Sequence, residues 1–87
     1  MAGGPPPDLV VDARGLKCPL PVLLLRKRMA PLPSGARVRL LADDPAAHVD
    51  VPHFCAEAGH VFEGATEGEG GPAFAVRKGR GGGRGGG

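Results

Sequence analysis

The run Lys17-Cys18-Pro19-Leu20-Pro21 places a thiol immediately before a leucine-rich stretch. Two prolines so close together mark the start of a helix, at its first and third positions. A missing N–H costs nothing there, and the fixed φ suits the helix. A cysteine at or just before a first turn lies against unpaired backbone N–H groups and the positive end of the helix dipole, both of which favour an anion. Such cysteines have depressed pKa values, and the thiolate is the reactive form. Lys17 and Arg14 add positive charge nearby. From position alone two readings stand: a reactive thiol, or a small buried hydrophobe. A protease is not among them, because no Ser/His/Asp or Cys/His/Asn pattern is legible. His48, His53 and His60 lack regular metal-ligand spacing and read as surface or capping groups.

The elements that must position Cys18 follow from the surrounding pattern. Leu9-Val10-Val11 is a short strand ending at Asp12, and Ala13 to Lys17 is a loop turning at Gly15. Asp12 ends that strand near the Cys18 loop, as an orienting group or a plain turn carboxylate. The helix from Pro19 is stopped by Pro31 and Pro33, with Val22, Leu25 and Met29 as its core stripe. Residues 37–42 alternate, Val38, Leu40 and Ala42 on one face and Arg37 and Arg39 on the other, as in a half-solvated strand. Asp43-Asp44-Pro45 is a turn and N-cap signal, repeated by Asp50-Val51-Pro52; Asp43 and Asp44 read otherwise as exposed carboxylates that contact a basic partner. A main second helix is expected over 51–58, closed by Gly59, with Val51, Phe54, Cys55 and Ala58 on its apolar stripe. Cys55 is therefore read as core, with a resolving thiol that pairs with Cys18 as the other reading. Residues 61–65 and 73–77 are two more strands, joined by a loop over 66–72. This β-α-β-α-β-β order predicts an α/β two-layer sandwich, a four-stranded mixed sheet with two helices on one face.

Composition separates this domain from its ends. Sixteen glycines and ten prolines in 87 residues fall in the range of low-complexity chains, but they are unevenly placed, with five in residues 1–7 and seven in residues 79–87. We expect disordered tails there, flanking one domain over 8–78. That segment holds nine Lys/Arg and nine Asp/Glu, so the net charge of +2 comes from Arg80 and Arg84. A neutral domain lacks the electrostatic footprint of a duplex binder. The longest apolar run, Val22 to Leu25, is too short to cross a membrane. No secretory signal is legible, and the two cysteines show neither CxxC nor zinc spacing. Free thiols in a reducing cytoplasm are expected.

The stretch Asp12-Ala13-Arg14-Gly15-Leu16-Lys17-Cys18-Pro19-Leu20-Pro21, followed by Arg26-Lys27, resembles the TusA/SirA-like sulfur-carrier family and its D-x-x-G-L-x-C-P-x-P mark. The resemblance continues through Gly35, Asp43-Asp44-Pro45-Ala46, Asp50-Val51-Pro52-His53-Phe54-Cys55 and Gly59-His60 to Phe74-Ala75-Val76-Arg77-Lys78-Gly79. It implies the βαβαββ sandwich already inferred. It also implies that Cys18 accepts sulfane sulfur as a persulfide, from a cysteine desulfurase or a rhodanese-like sulfurtransferase. The sulfur would pass to DsrE-type or tRNA-thiolation acceptors, toward 2-thiouridine or sulfur oxidation. The chain would act as a stoichiometric sulfurtransferase-type carrier, a cytoplasmic monomer needing no metal or organic cofactor.

Two further expectations concern surfaces. At 100° per residue, Leu20, Leu24, Lys27 and Arg28 fall opposite the core stripe of the first helix. They form either a small docking patch near the sulfur or ordinary scattered surface leucines. The tail over 79–87 is like an RGG segment and contacts nucleic acid weakly at most. The competing function is a non-enzymatic regulatory or RNA-interaction module, in which Cys18 is a structural or redox-sensing thiol.

Overall fold

The computed structural model describes residues 7–68 and 70–79. The two expected tails, 1–7 and 79–87, lie outside these residues except for Pro7 and Gly79. Strand β1 (Leu9–Asp12) leads into helix α1 (Leu20–Met29), then β2 (Arg37–Leu41), α2 (Ala47–Ala58), β3 (Val61–Gly68) and β4 (Gly71–Arg77). The sheet order is β1-β2-β4-β3. β1 pairs parallel to β2, with Leu9 opposite Val38 and Asp12 opposite Leu41. β4 runs antiparallel to both β2 and β3. The expected four-stranded mixed sheet with two helices is the observed architecture.

One face of the sheet makes the core. Val11, Val38, Leu40, Phe74 and Val76 are buried against Leu25 and Met29 of α1 and Val51, Phe54 and Cys55 of α2. Strand alternation sends Val10, Arg39 and Ala75 to the opposite, exposed face. There the bulge between Phe62 and Gly64 releases Glu63 to pair with Arg77 at 3.3 Å, and Arg37 lies 3.9 Å from the same carboxylate.

Several boundaries differ from the sequence reading, each for a physical reason. α1 begins at Leu20, with Pro19 as N-cap and Pro21 as the second helical residue, so the prolines sit one place earlier in the helix than expected. The buried stripe is Pro21, Leu25 and Met29. Spacing by four turns the core face toward Pro21 and leaves Val22 only partly buried. α2 starts at Ala47, and Pro52 lies inside it. The turn after Asp44 already closes helical bonds, His48 N–H to the Pro45 carbonyl and Asp50 N–H to that of Ala46. Pro52 therefore removes one ladder bond within the helix rather than starting it. Gly59 caps α2 in the left-handed region, φ 79°. The loop expected over 66–72 is mostly strand: the β3–β4 ladder continues to Gly68 opposite Gly71 and takes in Pro72.

The end of α1 is held from across the sheet. Its last carbonyls have no glycine cap, since Ala30 remains helical and Pro31 follows. Lys78, just beyond β4, donates from Nζ to the carbonyls of Met29 (3.0 Å), Ala30 (2.9 Å) and Leu32 (2.7 Å). One ammonium thus meets the carbonyls of Ala30 and Leu32 and shares that of Met29 with the Leu32 N–H.

Candidate thiol site

The site forms where two strand-to-helix connections lie side by side. β1 and β2 are parallel neighbours, so the loop leaving β1 and the turn leaving β2 emerge at the same end of the sheet. Gly15 turns the first loop with φ 87°, a conformation that favours glycine. Its N–H donates to Asp43 Oδ1 at 3.0 Å. Three residues on, the Cys18 N–H donates to Asp44 Oδ2 at 2.8 Å, while Asp44 Oδ1 accepts from the Ala46 N–H at 3.0 Å. The paired aspartates therefore buckle the Cys18 loop onto the entrance of α2.

Cys18 is exposed and free. Its Sγ donates to Asp50 Oδ2 at 2.9 Å, and Asp50 belongs to the first turn of α2. This contact overturns the expected depression of the thiol pKa. The Cys18 pKa is raised, chiefly by the hydrogen bond to Asp50, then by loss of solvent and by the charges of Asp50 and Asp44. A full carboxylate charge at contact outweighs the partial charge of a helix end.

The expected cations do not offset it. Arg14 donates from Nε and Nη2 to Asp12 at 2.9 and 2.8 Å, and its own N–H bonds the same carboxylate. Asp12 is thereby held down to about 2. This brace shapes the loop, the orienting role considered for Asp12, but it engages Arg14 over Gly70 of the hairpin turn. Lys17 pulls on Asp44, whose carboxyl lies below its usual range mainly through the Ala46 and Cys18 N–H groups.

Pro19 is exposed and Pro21 is buried. Of the surface residues expected on α1, Leu20 is 48% exposed, and Lys27 and Arg28 are exposed. Leu24 is a correction: it packs partly against the core, and Leu23, 48% exposed, takes its place beside Leu20 and Lys27. The turn of the core face toward Pro21 is the cause.

Asp44 and Asp50 are the contributors that sequence reasoning missed as site residues. In the sequence both read first as turn and cap signals. Recognising two adjacent strand-to-helix turns would have brought them to Cys18.

Cys55 is buried, and burial pushes its thiol up to about 11. The histidines serve separate places. His48 meets Phe74 edge-on, His53 pairs with Glu57 at 3.3 Å, and His60 accepts the Gly79 N–H on Nδ1 at 3.1 Å. Among the described residues no group of three His, Cys, Asp or Glu side chains is arranged to hold a metal. No helix among them is long and apolar enough to cross a membrane.

The fold is a two-layer sandwich that presents one exposed thiol ahead of a helix. Comparison with known proteins gives its class. The family model described as Sulfurtransferase TusA matches residues 9–78. A protein of Pseudomonas entomophila named Sulfur carrier protein TusA is 38% identical over 71 residues, covering 82% of this chain and 89% of its own. Its namesake from Pseudomonas savastanoi pv. phaseolicola is 43% identical over 63 residues, covering 70% and 75%. The crystal structure of a SirA-like protein from Desulfitobacterium hafniense superposes with a TM-score of 0.67 at 26% identity, over 79% of this chain and 93% of that one. The chain belongs to the TusA sulfurtransferase family.

Proposed function

We propose that this chain relays sulfur, carrying it as a persulfide on Cys18 between a donor and an acceptor protein. The observation that supports this most is the exposed, unpaired Cys18 thiol at the cysteine of the family's motif. In loading, Cys18 Sγ attacks the outer sulfur of a donor persulfide. An Sγ–S bond forms, the donor's S–S bond breaks, and the donor cysteine leaves as a thiol with the proton. The second transfer repeats the exchange with Cys18 as the leaving group. An exposed sulfur ahead of a rigid turn suits in-line attack at both steps, and Pro19 and Pro21 stiffen that turn.

The donor is a cysteine desulfurase or a rhodanese-like sulfurtransferase, and the acceptor a DsrE-like or tRNA-thiolation protein. Leu20 and Leu23 supply an apolar spot on α1, with Lys27 and Arg28 further along it. This surface suits a donor with an apolar contact rimmed by acidic side chains.

Intact mass after incubation with a desulfurase and cysteine tests the reading. Wild type gains one sulfur atom and Cys18→Ser gains none. Cys55, buried with its pKa at about 11, adds no second one. An unmodified wild type across desulfurase and rhodanese donors would overturn the proposal, as would sulfur on Cys18→Ser.

A further inference from the structure

We propose that Asp50, set against the Cys18 sulfur from the first turn of α2, makes the chain a loose holder of its sulfur, favouring the uncharged thiol over the anionic persulfide. This deepens the carrier reading and rests on it. The Cys18 thiol donates its proton to Asp50 Oδ2 at 2.9 Å. A persulfide is a stronger acid than its thiol, so at neutral pH it is an anion with no proton to donate. Loading therefore replaces an attractive contact with the apposition of two negative charges. The terminal sulfur lies only one S–S bond, about 2 Å, beyond Sγ, within the carboxylate's field.

The neighbouring groups reinforce the effect. Asp44, from the turn after β2, holds the Cys18 N–H at 2.8 Å and adds a second negative charge. Asp43 of the same turn holds Gly15. On the cysteine's own loop, the charge of Lys17 acts on Asp44 and Arg14 is paired with Asp12. α1 brings no basic residue before Arg26. An isolated helix start would grip a persulfide anion, whereas this one is flanked by acids that push it toward the acceptor.

The exchange that reads this property is Cys18–SH with glutathione persulfide anion, giving the Cys18 persulfide anion and glutathione. The Sγ–S bond forms, the glutathione S–S bond breaks, and the Cys18 proton ends on the glutathione sulfur. Full-length wild type, Asp50→Asn and Asp50→Glu are equilibrated with glutathione persulfide and glutathione, and the loaded fraction is read by intact mass. Removing a like charge in contact with the sulfur should raise the equilibrium constant for loading on the order of tenfold in Asp50→Asn, with Asp50→Glu close to wild type.

Alkylation by iodoacetamide across pH is the independent readout. Its midpoint should fall in Asp50→Asn, whether or not any sulfur is transferred. Asp50→Ser supplies a second uncharged variant should the amide disturb α2, and melting curves check that each variant is folded. An equilibrium constant unchanged or lowered in the folded uncharged variants overturns the proposal, even where the alkylation midpoint moves. A wild type that takes no sulfur from any donor overturns the carrier reading and this one together. The alkylation profile then still reports the hold of Asp50 on the thiol.

Discussion

Replacing Lys78 with methionine keeps the aliphatic stem and removes three donors from the end of α1. The ammonium contacts the carbonyls of Met29, Ala30 and Leu32 at 2.7 to 3.0 Å. Hydrogen bonds to a charged group contribute about 1.5–3 kcal/mol each. The side chain is only partly buried, so water replaces some of this in the variant, and about 1 kcal/mol per bond is the better figure. The loss is then about 2–3 kcal/mol, which for a domain of this size lowers the melting midpoint by about 10–20 °C. Far-UV circular dichroism melts of full-length wild type and Lys78→Met measure it directly. Lys78→Arg should fall between them, because a planar guanidinium cannot converge on three carbonyls as an ammonium does. The thiol lies beyond the opposite end of α1, so alkylation of Cys18 well below the melt should keep its wild-type rate. A fall of less than about 3 °C would show that solvent caps α1 as well as Lys78 does, and the reasoning would be wrong.

Three further outcomes can be checked. Leu23→Asp with Lys27→Glu should slow sulfur loading from a desulfurase about tenfold, as loss of a small docking anchor does, and leave the melt nearly unchanged. Leu24→Asp alone should destabilise by about 1–2 kcal/mol through its part-buried side chain, and an unaltered loading rate in the folded double variant would remove the docking surface from the account. His60 should make stability depend on pH. Burial first, then the charge of Lys78, hold its pKa below the ordinary 6.5, and its Nδ1 must stay unprotonated to accept from Gly79. The unfolded chain therefore takes up a proton before the folded one does. The contribution is complete above about 6.5 and declines as pH falls from there to the lowered folded value. Melting midpoints between pH 7 and 5 should slope downward in wild type and less steeply in His60→Gln, and equal slopes would refute the assignment.

The element order was legible because each element carries a local signal: alternation over 37–42, prolines ahead of α1, Gly59 after α2. What escaped was settled by contacts remote in the chain. Thr66, Glu67 and Gly68 look like loop residues, yet pairing with β4 as far as Gly71 keeps them in the sheet. Pro52 resembles a helix start, but the turn at Asp44 had already closed the first helical bonds. At the site, the exposed cysteine was readable and its electrostatics were not. Local sequence places Lys17 and Arg14 beside Cys18. Parallel pairing of β1 and β2 instead brings in carboxylates from 26 and 32 residues away, and no spacing rule along the chain reports that.

The division of the site between two strand–helix units has a consequence for how the protein can change. One unit, β1 with α1, presents the sulfur and the α1 surface beside it. The other, β2 with α2, carries the acids that set its charge. A substitution at 50, whose carboxylate meets the site only through the sulfur, can therefore retune how tightly cargo is held without disturbing the surface by which partners would recognise the carrier. Conversely, α1 can diverge toward new partners while the chemistry of the thiol stays constant. Affinity for cargo and choice of partner are separable traits in this small domain, open to independent adjustment by selection or by design.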